Sequence, residues 1–300
     1  MNIGKLGVWS VLDSLPAATE ADFARRLERW GYTALWSSEV FGRNVLVNAA
    51  WLLANTRTLI VASGIANIHG RDAMAMAAAR AQLNEQSGGR FLLGVGISHA
   101  PLVAVRGHAY DKPASTLRAY LESMQRTPYH SVPPAARAPM VVGALGPKML
   151  AVARDLADGA HPYNTTVAQT AEQRRILGPD KLLCVEQKIL LETDAARARA
   201  IARANLRRYA AAANYVNSWR RAGFTEQDVG GDLSDRLIDA LIAWGDEDAI
   251  VARIREHWAA GADHVCVQAL HSDPTKQLTA GPNVDLLQRL APFAEESNAR

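Results

Sequence analysis

The 300-residue sequence predicts one domain, 1–300, folded as a (β/α)8 or TIM barrel. Three observations carry this. Short β-rich runs alternate with amphipathic helical stretches from end to end, several runs are apolar without interruption, and glycines mark helix-to-strand joints. Runs such as LIVASGI (59–65), FLLGVGI (91–97) and MVVGAL (140–145) suit parallel strands covered on both faces.

The eight predicted strands are Lys5–Ser10, Thr33–Ser37, Thr58–Ile65, Phe91–Ile97, Pro139–Leu145, Gly159–Tyr163, Lys181–Leu191 and Asp263–Leu270. Between them apolar residues recur at helical spacing, as in Phe23, Leu27 and Trp30, in Leu117, Leu121 and Met124, and in Ile250, Ile254 and Trp258. Gly31, Gly159 and Gly261 each stand between a helix and the next strand, where a left-handed cap costs glycine little. Eight strand–helix units point to a closed barrel. An open doubly wound sheet would carry a glycine-rich phosphate fingerprint after its first strand, and Gly7-Val8-Trp9-Ser10-Val11 has none.

About fifty residues, 194–244, exceed a minimal barrel and form a mostly helical insertion between strands seven and eight. It holds an arginine-rich helix (Arg197, Arg199, Arg203, Arg207, Arg208), the aromatic residues Tyr209, Tyr215 and Trp219, and a helix around Leu237–Trp244. An insertion at this end of a barrel roofs the active site or packs against the wall or a second subunit. Arg199, Arg203 and Arg207 share one helical stripe, either a solvated face or a patch for an anionic ligand.

Composition narrows the function. The hydrophobic share of 49% and charged share of 21% are those of a globular protein, which excludes a disordered chain. No apolar run reaches the roughly 18 residues of a membrane-spanning helix. The first residues lack a secretory pattern, so a cytoplasmic protein is expected. Net charge is +3, too small to argue for nucleic acid. Cys184 and Cys266 sit in apolar runs and read as buried thiols. No metal-ligand spacing, nucleophile elbow or Walker sequence is present, so no metal is expected.

In a barrel the site forms at the C-terminal strand ends. After the fifth strand, Gly143, Ala144, Leu145 and Gly146 turn into a helix with Pro147 in its first position, and Lys148 adds a cation. This is either a tight turn needing two glycines or an anion site made of free helix-start amides. After the fourth strand come Gly96, Ser98 and His99, where glycine admits a flat ring and the imidazole titrates near neutrality. After the third, Gly64 and Ile65 lead to Ala66, Asn67 and His69. Glu39 stands at the second strand end, His161 and Tyr163 at the sixth, and Trp9 at the first. A glycine-lined rim with an anion site suits a large planar cofactor that carries a phosphate.

At SGIANIHGRD (63–72), GRFLLGVGISHAPL (89–102), ALGPKML (144–150), DGAHPY (158–163) and AGADHV (260–265), the chain resembles the luciferase-like flavin and deazaflavin oxidoreductases, specifically a branch that uses coenzyme F420. The resemblance implies an F420-dependent oxidoreductase that moves a hydride between the deazaflavin C5 and a small organic substrate. It puts a non-prolyl cis peptide at Gly64–Ile65 under the ring and Asn67 at the ring's polar edge. Gly64, Ile65, Ala66, Asn67, Gly96 and Ser98 would hold the ring, and the 143–147 turn with Lys148 the phosphate. His99 would be general acid or base, with Glu39 orienting it or binding substrate, while Trp9, His69, His161 and Tyr163 line the substrate side. A homodimer is also implied.

Two departures touch the substrate. The sugar-phosphate dehydrogenase branch has an acid and then a histidine where this chain has Glu39 and Val40, and an acid where it has His99. A sugar phosphate is therefore not expected. FMN in a monooxygenase is the alternative cofactor reading, and a non-catalytic deazaflavin-binding barrel is the other rival.

Overall fold

The computed structural model describes residues 1–273, 276 and 281–298. Its strands are β1 (Leu6–Ser10), β2 (Ala34–Ser37), β3 (Ile60–Ser63), β4 (Ala66–Asn67), β5 (Phe91–Gly96), β6 (Met140–Val142), β7 (Gly159–Ala160), β8 (Leu182–Leu191), β9 (Ile242–Gly245) and β10 (His264–Ala269). All pairings are parallel. The order β10-β1-β2-β3-β5-β6-β7-β8, with β8 returning to β10, closes an eight-stranded barrel. This is the predicted (β/α)8 architecture.

The closed sheet has an inner and an outer face, so alternate residues go to the lumen. Trp9, Ala34, Trp36, Ala62, Leu92, Val141, Cys184 and Cys266 fill it. Trp36 fits because its neighbours are small; at Gly7 an added Cβ would lie 2.7 Å from His264 Nε2. The Trp36 indole donates to that nitrogen at 3.1 Å, while the ring of Trp36 stacks on His161 at 4.4 Å. The helices Ala17–Arg29, Pro113–Arg126 and Glu247–Ala259 bury Phe23, Leu27, Leu117, Leu121, Met124, Ile250 and Ile254 against the outer face.

Gly31 and Gly261 take the left-handed conformation expected of helix caps (φ +76° and +102°). Gly159 differs: it lies in β7, where any Cβ would run into the Leu182 carbonyl, so it serves close strand approach rather than a cap.

The stretch after β8 contains the helices Ala195–Ala210, Ala213–Arg221, Glu226–Val229 and Asp235–Leu241 around a second core of Leu206, Tyr215, Trp219 and Leu237. The helix expected to reach Trp244 stops at Leu241, and Ile242–Gly245 becomes β9. The reason is that β8 runs beyond the barrel, and its Lys188–Leu191 backbone pairs with Ile242–Gly245. The arginine stripe is salt-bridged within the insertion: Arg199 pairs with Asp239 (2.6 Å), Arg203 with Asp235 and Arg207 with Asp232 (2.7 Å). Among the described residues, no helix is long and apolar enough to cross a membrane.

Three buried histidines make the fold acid-sensitive. Burial pushes His161 and His264 down to about 4 and His257 to about 3. The unfolded chain therefore binds more protons than the folded one below pH 6.5. Each such group removes up to about 1.4 kcal/mol of stability per pH unit between pH 6.5 and its folded value. Urea unfolding midpoints are predicted to fall steadily from pH 7 to pH 5; a flat profile would contradict the assignment.

Candidate active site

The site is built on a β-bulge. The register offset between β3 and β5 is 30 at Val61↔Phe91 and Ala62↔Leu92, and the offset between β4 and β5 is 29 at Ala66↔Val95. One extra residue is thus accommodated between Ser63 and Ile65. Where the ladder breaks, the Ser63 hydroxyl replaces it, donating to the Gly94 carbonyl at 2.8 Å and accepting from the Gly94 amide at 2.9 Å. The Gly64–Ile65 peptide is cis, as the resemblance implies.

Glycines make room for this bulge. A Cβ at Gly94 would strike the Ser63 carbonyl oxygen, one at Gly96 would lie 2.9 Å from Ile65 Cδ1, and one at Gly143 would lie 3.2 Å from Ile65 Cγ2. The glycines of β5 and Gly143 of the turn after β6 therefore seat the Ile65 side chain. This refines the expectation that Gly96 admits a flat ring directly.

Above the bulge is a cavity of about 740 Å³ at the C-terminal end of the barrel. The sequence-predicted residues Trp9, Glu39, Gly64, Ile65, Gly96, Ser98, His99, Gly143, Ala144, Leu145, His161 and Tyr163 all line it. Ala66, Asn67, His69, Gly146, Pro147 and Lys148 do not line it. Asn67 is 1% exposed and its side chain caps the turn Ile68–Gly70, accepting from the His69 amide at 2.9 Å. His69 packs against the His108 ring at 5.0 Å, and its pKa is lowered by burial and by the neighbouring His108 and Arg106 charges.

Glu39 lines the cavity and is tied to the bulge. Both its oxygens are engaged, by Arg71 in a two-point ion pair and by the Asn67 amide at 2.9 Å. It ties the loop after β2 to the bulge and makes no contact with His99 that would orient it. His99 opens the helix Ala100–Val105 and lies 5.4 Å from the Tyr215 ring. Burial lowers its pKa, the Asn214 side chain opposing, and its Nδ1 is buried without a hydrogen-bond partner. His99 lines the cavity, and a neutral imidazole there is the form that can take up a proton. His161 is more enclosed: Nδ1 lies 2.9 Å from the Cys184 carbonyl, and Nε2 lies against Gly64.

At the 143–146 turn the amides divide. Gly143 donates to the Val95 carbonyl at 2.9 Å, whereas the amides of Ala144, Leu145, Gly146 and Lys148 have no partner among the described residues. Gly146 precedes the helix Pro147–Leu156, with Pro147 in its first turn as predicted. Arg221 reaches this turn from the insertion, donating to the Leu145 carbonyl at 3.1 Å, and a Cβ at Gly146 would lie 3.0 Å from its guanidinium.

The insertion roofs the cavity, one of the outcomes its place in the sequence left open, with residues that were not among the predicted site residues. Arg208, Tyr209, Ala212 and Tyr215 of the insertion line the cavity. Tyr209 and Tyr163 share a hydroxyl hydrogen bond of 2.7 Å, and Tyr163 donates onward to Gln268 Oε1 at 2.8 Å. Beneath them Lys188, 1% exposed, binds Glu186 at 3.0 Å and Asn164 at 2.6 Å, 3.8 Å from the Tyr163 ring centre. The available signal for these residues was an aromatic and arginine-rich insertion at a barrel rim. Among the described residues, no group of three His, Cys, Asp or Glu side chains could hold a metal ion.

Residues 4–264 match the family described as "Luciferase-like monooxygenase". A Mycobacterium tuberculosis protein provisionally named a coenzyme F420-dependent oxidoreductase is 22% identical, covering 93% of this chain and 98% of its own. The 5,10-methylenetetrahydromethanopterin reductase of Methanolobus tindarius is 26% identical over 80% of this chain and 87% of its own. Among solved structures, an F420-dependent secondary alcohol dehydrogenase in complex with an F420–acetone adduct superposes with a TM-score of 0.73 at 15% identity. That match covers 97% of this chain and 99% of the other.

The bulge makes a stability prediction. Gly94→Ala forces a methyl group into the Ser63 carbonyl and is expected to cost about 3 kcal/mol or more. Ser63→Ala leaves the buried Gly94 amide without its acceptor and is expected to cost about 1–3 kcal/mol. Urea denaturation of both variants checks the order, and a Gly94→Ala protein as stable as the parent would contradict the packing.

Proposed function

The chain belongs to the luciferase-like monooxygenase family, and from that premise we propose that it is an F420-dependent oxidoreductase acting on a small carbonyl or unsaturated substrate. The observation that carries the reading is the pairing of an apolar, Ile65-floored cavity with an unsatisfied amide turn at its edge. The residues present fit such a cofactor. Ile65, Gly64 and Ala144 offer a flat apolar floor, and the free amides of Ala144, Leu145 and Gly146 suit a phosphate at a helix start. Lys148 and Arg221 add positive charge at that turn.

Bound there, F420 would supply a two-electron hydride exchange at its C5 carbon. His99 handles the proton that balances this exchange: its lowered pKa keeps it neutral near pH 7, ready to accept from a substrate hydroxyl or, once protonated, to donate. Tyr209 and Tyr215 line the cavity from the insertion side. Trp9 and Tyr163, 5.1 Å apart, wall the substrate side, and the Trp9 indole donates to the Gly64 carbonyl at 3.2 Å. The family description itself favours a second reading, an FMN monooxygenase in the same cavity. We extend the proposal to a cytoplasmic homodimer, which the mass in solution tests.

Purified protein is expected to oxidise reduced F420, followed at 420 nm, with at least one member of a panel of enones, quinones and ketones. His99→Ala is expected to lower kcat by about 10²-fold or more while leaving cofactor affinity unchanged. Lys148→Ala and Arg221→Ala are each expected to weaken F420 binding about tenfold, read by fluorescence quenching. Unchanged turnover in His99→Ala would remove it from the chemistry, and unchanged affinity in both other variants would remove the anion site.

A further inference from the structure

We propose that the cavity takes an apolar carboxylic acid as substrate, its carboxylate held by Arg208 and its body lying along the tyrosine roof toward His99. This rests on the oxidoreductase reading above and names the class of substrate for that same site.

The insertion pairs off most of its arginines. Eight lie between Asp194 and Trp244. Six are paired to carboxylates: Arg197, Arg199, Arg203, Arg207, Arg220 and Arg236. Arg221 makes no such pair but caps the Leu145 carbonyl at the amide turn. Arg208 alone of the eight has neither a hydrogen bond nor an ion pair among the described residues, and it is also the only lysine or arginine on the cavity wall. It breaks the i, i+4 stripe of Arg199, Arg203 and Arg207, which sends it to a different face from the salt-bridged one.

Its setting is built for a ligand. The guanidinium lies 4.8 Å over the Tyr209 ring, which orients its fork while leaving its donors free. Tyr209 meets Tyr215 edge-on at 5.1 Å, and Tyr215 meets His99 at 5.4 Å. An aromatic surface thus leads from the free cation to the proton-handling imidazole. The acidic groups on the wall do not cancel Arg208: Glu39 is neutralised by Arg71, and Asp13 lies in the loop after β1, accepting from the Arg43 amide at 2.7 Å. The lone guanidinium on an apolar and aromatic wall matches a monoanion with an apolar body. A doubly charged phosphate ester would call for more than one cation.

The test uses benzoate and benzamide, which share shape and differ in charge, titrated by calorimetry into the protein with and without saturating F420. Wild type is expected to bind benzoate at least about tenfold more tightly than benzamide. Arg208→Gln is expected to abolish that preference, Arg208→Lys to keep most of it, and both to retain wild-type affinity for F420. Equal binding of the two probes by wild type, or a preference that survives in Arg208→Gln, overturns the proposal. A loss of F420 affinity in Arg208→Gln without a change in benzoate preference assigns Arg208 to the cofactor and also overturns it. Should wild type bind no F420, the oxidoreductase reading fails, while the cofactor-free comparison still decides what Arg208 recognises.

Discussion

The site depends on one steric constraint, the contact of the Ser63 carbonyl with the bare Cα of Gly94. Because β5 has no side chain there, β3 accommodates an extra residue without losing its partner strand, and Ser63 makes good the interrupted ladder. Ile65 then falls between Gly96 and Gly143 and becomes the floor of the cavity. Glu39 and Arg71 brace the same bulge through the Asn67 amide. Glu39 thus helps to hold the floor in place while also lining the cavity.

Charge is sorted with similar economy. Inside the barrel, Lys188 and Glu186 pair with each other, Lys188 also donates to Asn164 Oδ1 and Glu186 accepts from the Asn164 amide, so two buried charges sit beneath the tyrosines with hydrogen-bond partners. On the outside, carboxylates consume most of the insertion's arginines. Of the insertion's arginines, Arg208 on the cavity wall and Arg221 beside the turn have no carboxylate partner among the described residues, and the free amides and Lys148 lie at that same turn. In a chain of net charge +3, the placement of these few groups, not the total, sets the positive charge at the cavity edge.

The barrel was legible because parallel strands covered on both faces write themselves as apolar runs, and FLLGVGI and MVVGAL fell where β5 and β6 lie. The turn at 143–147 was legible because glycine followed by proline is a local signal. Other features were not local. Ile242–Gly245 reads as the end of a helix until the protruding edge of β8 is known. Asn67 and His69 do not line the cavity, because the Asn67 side chain turns back to cap Ile68–Gly70, a contact no local pattern announces. Tyr209 and Arg208 lie more than a hundred residues beyond His99, and only the folded insertion brings them together.

The central claim is that a deazaflavin occupies this cavity. Equilibrium titration of the purified protein with F420 and, separately, with FMN tests it most directly. The account predicts saturable quenching of F420 fluorescence at one cofactor per chain, undisturbed by equimolar FMN. Tight binding of FMN with no binding of F420 would contradict it.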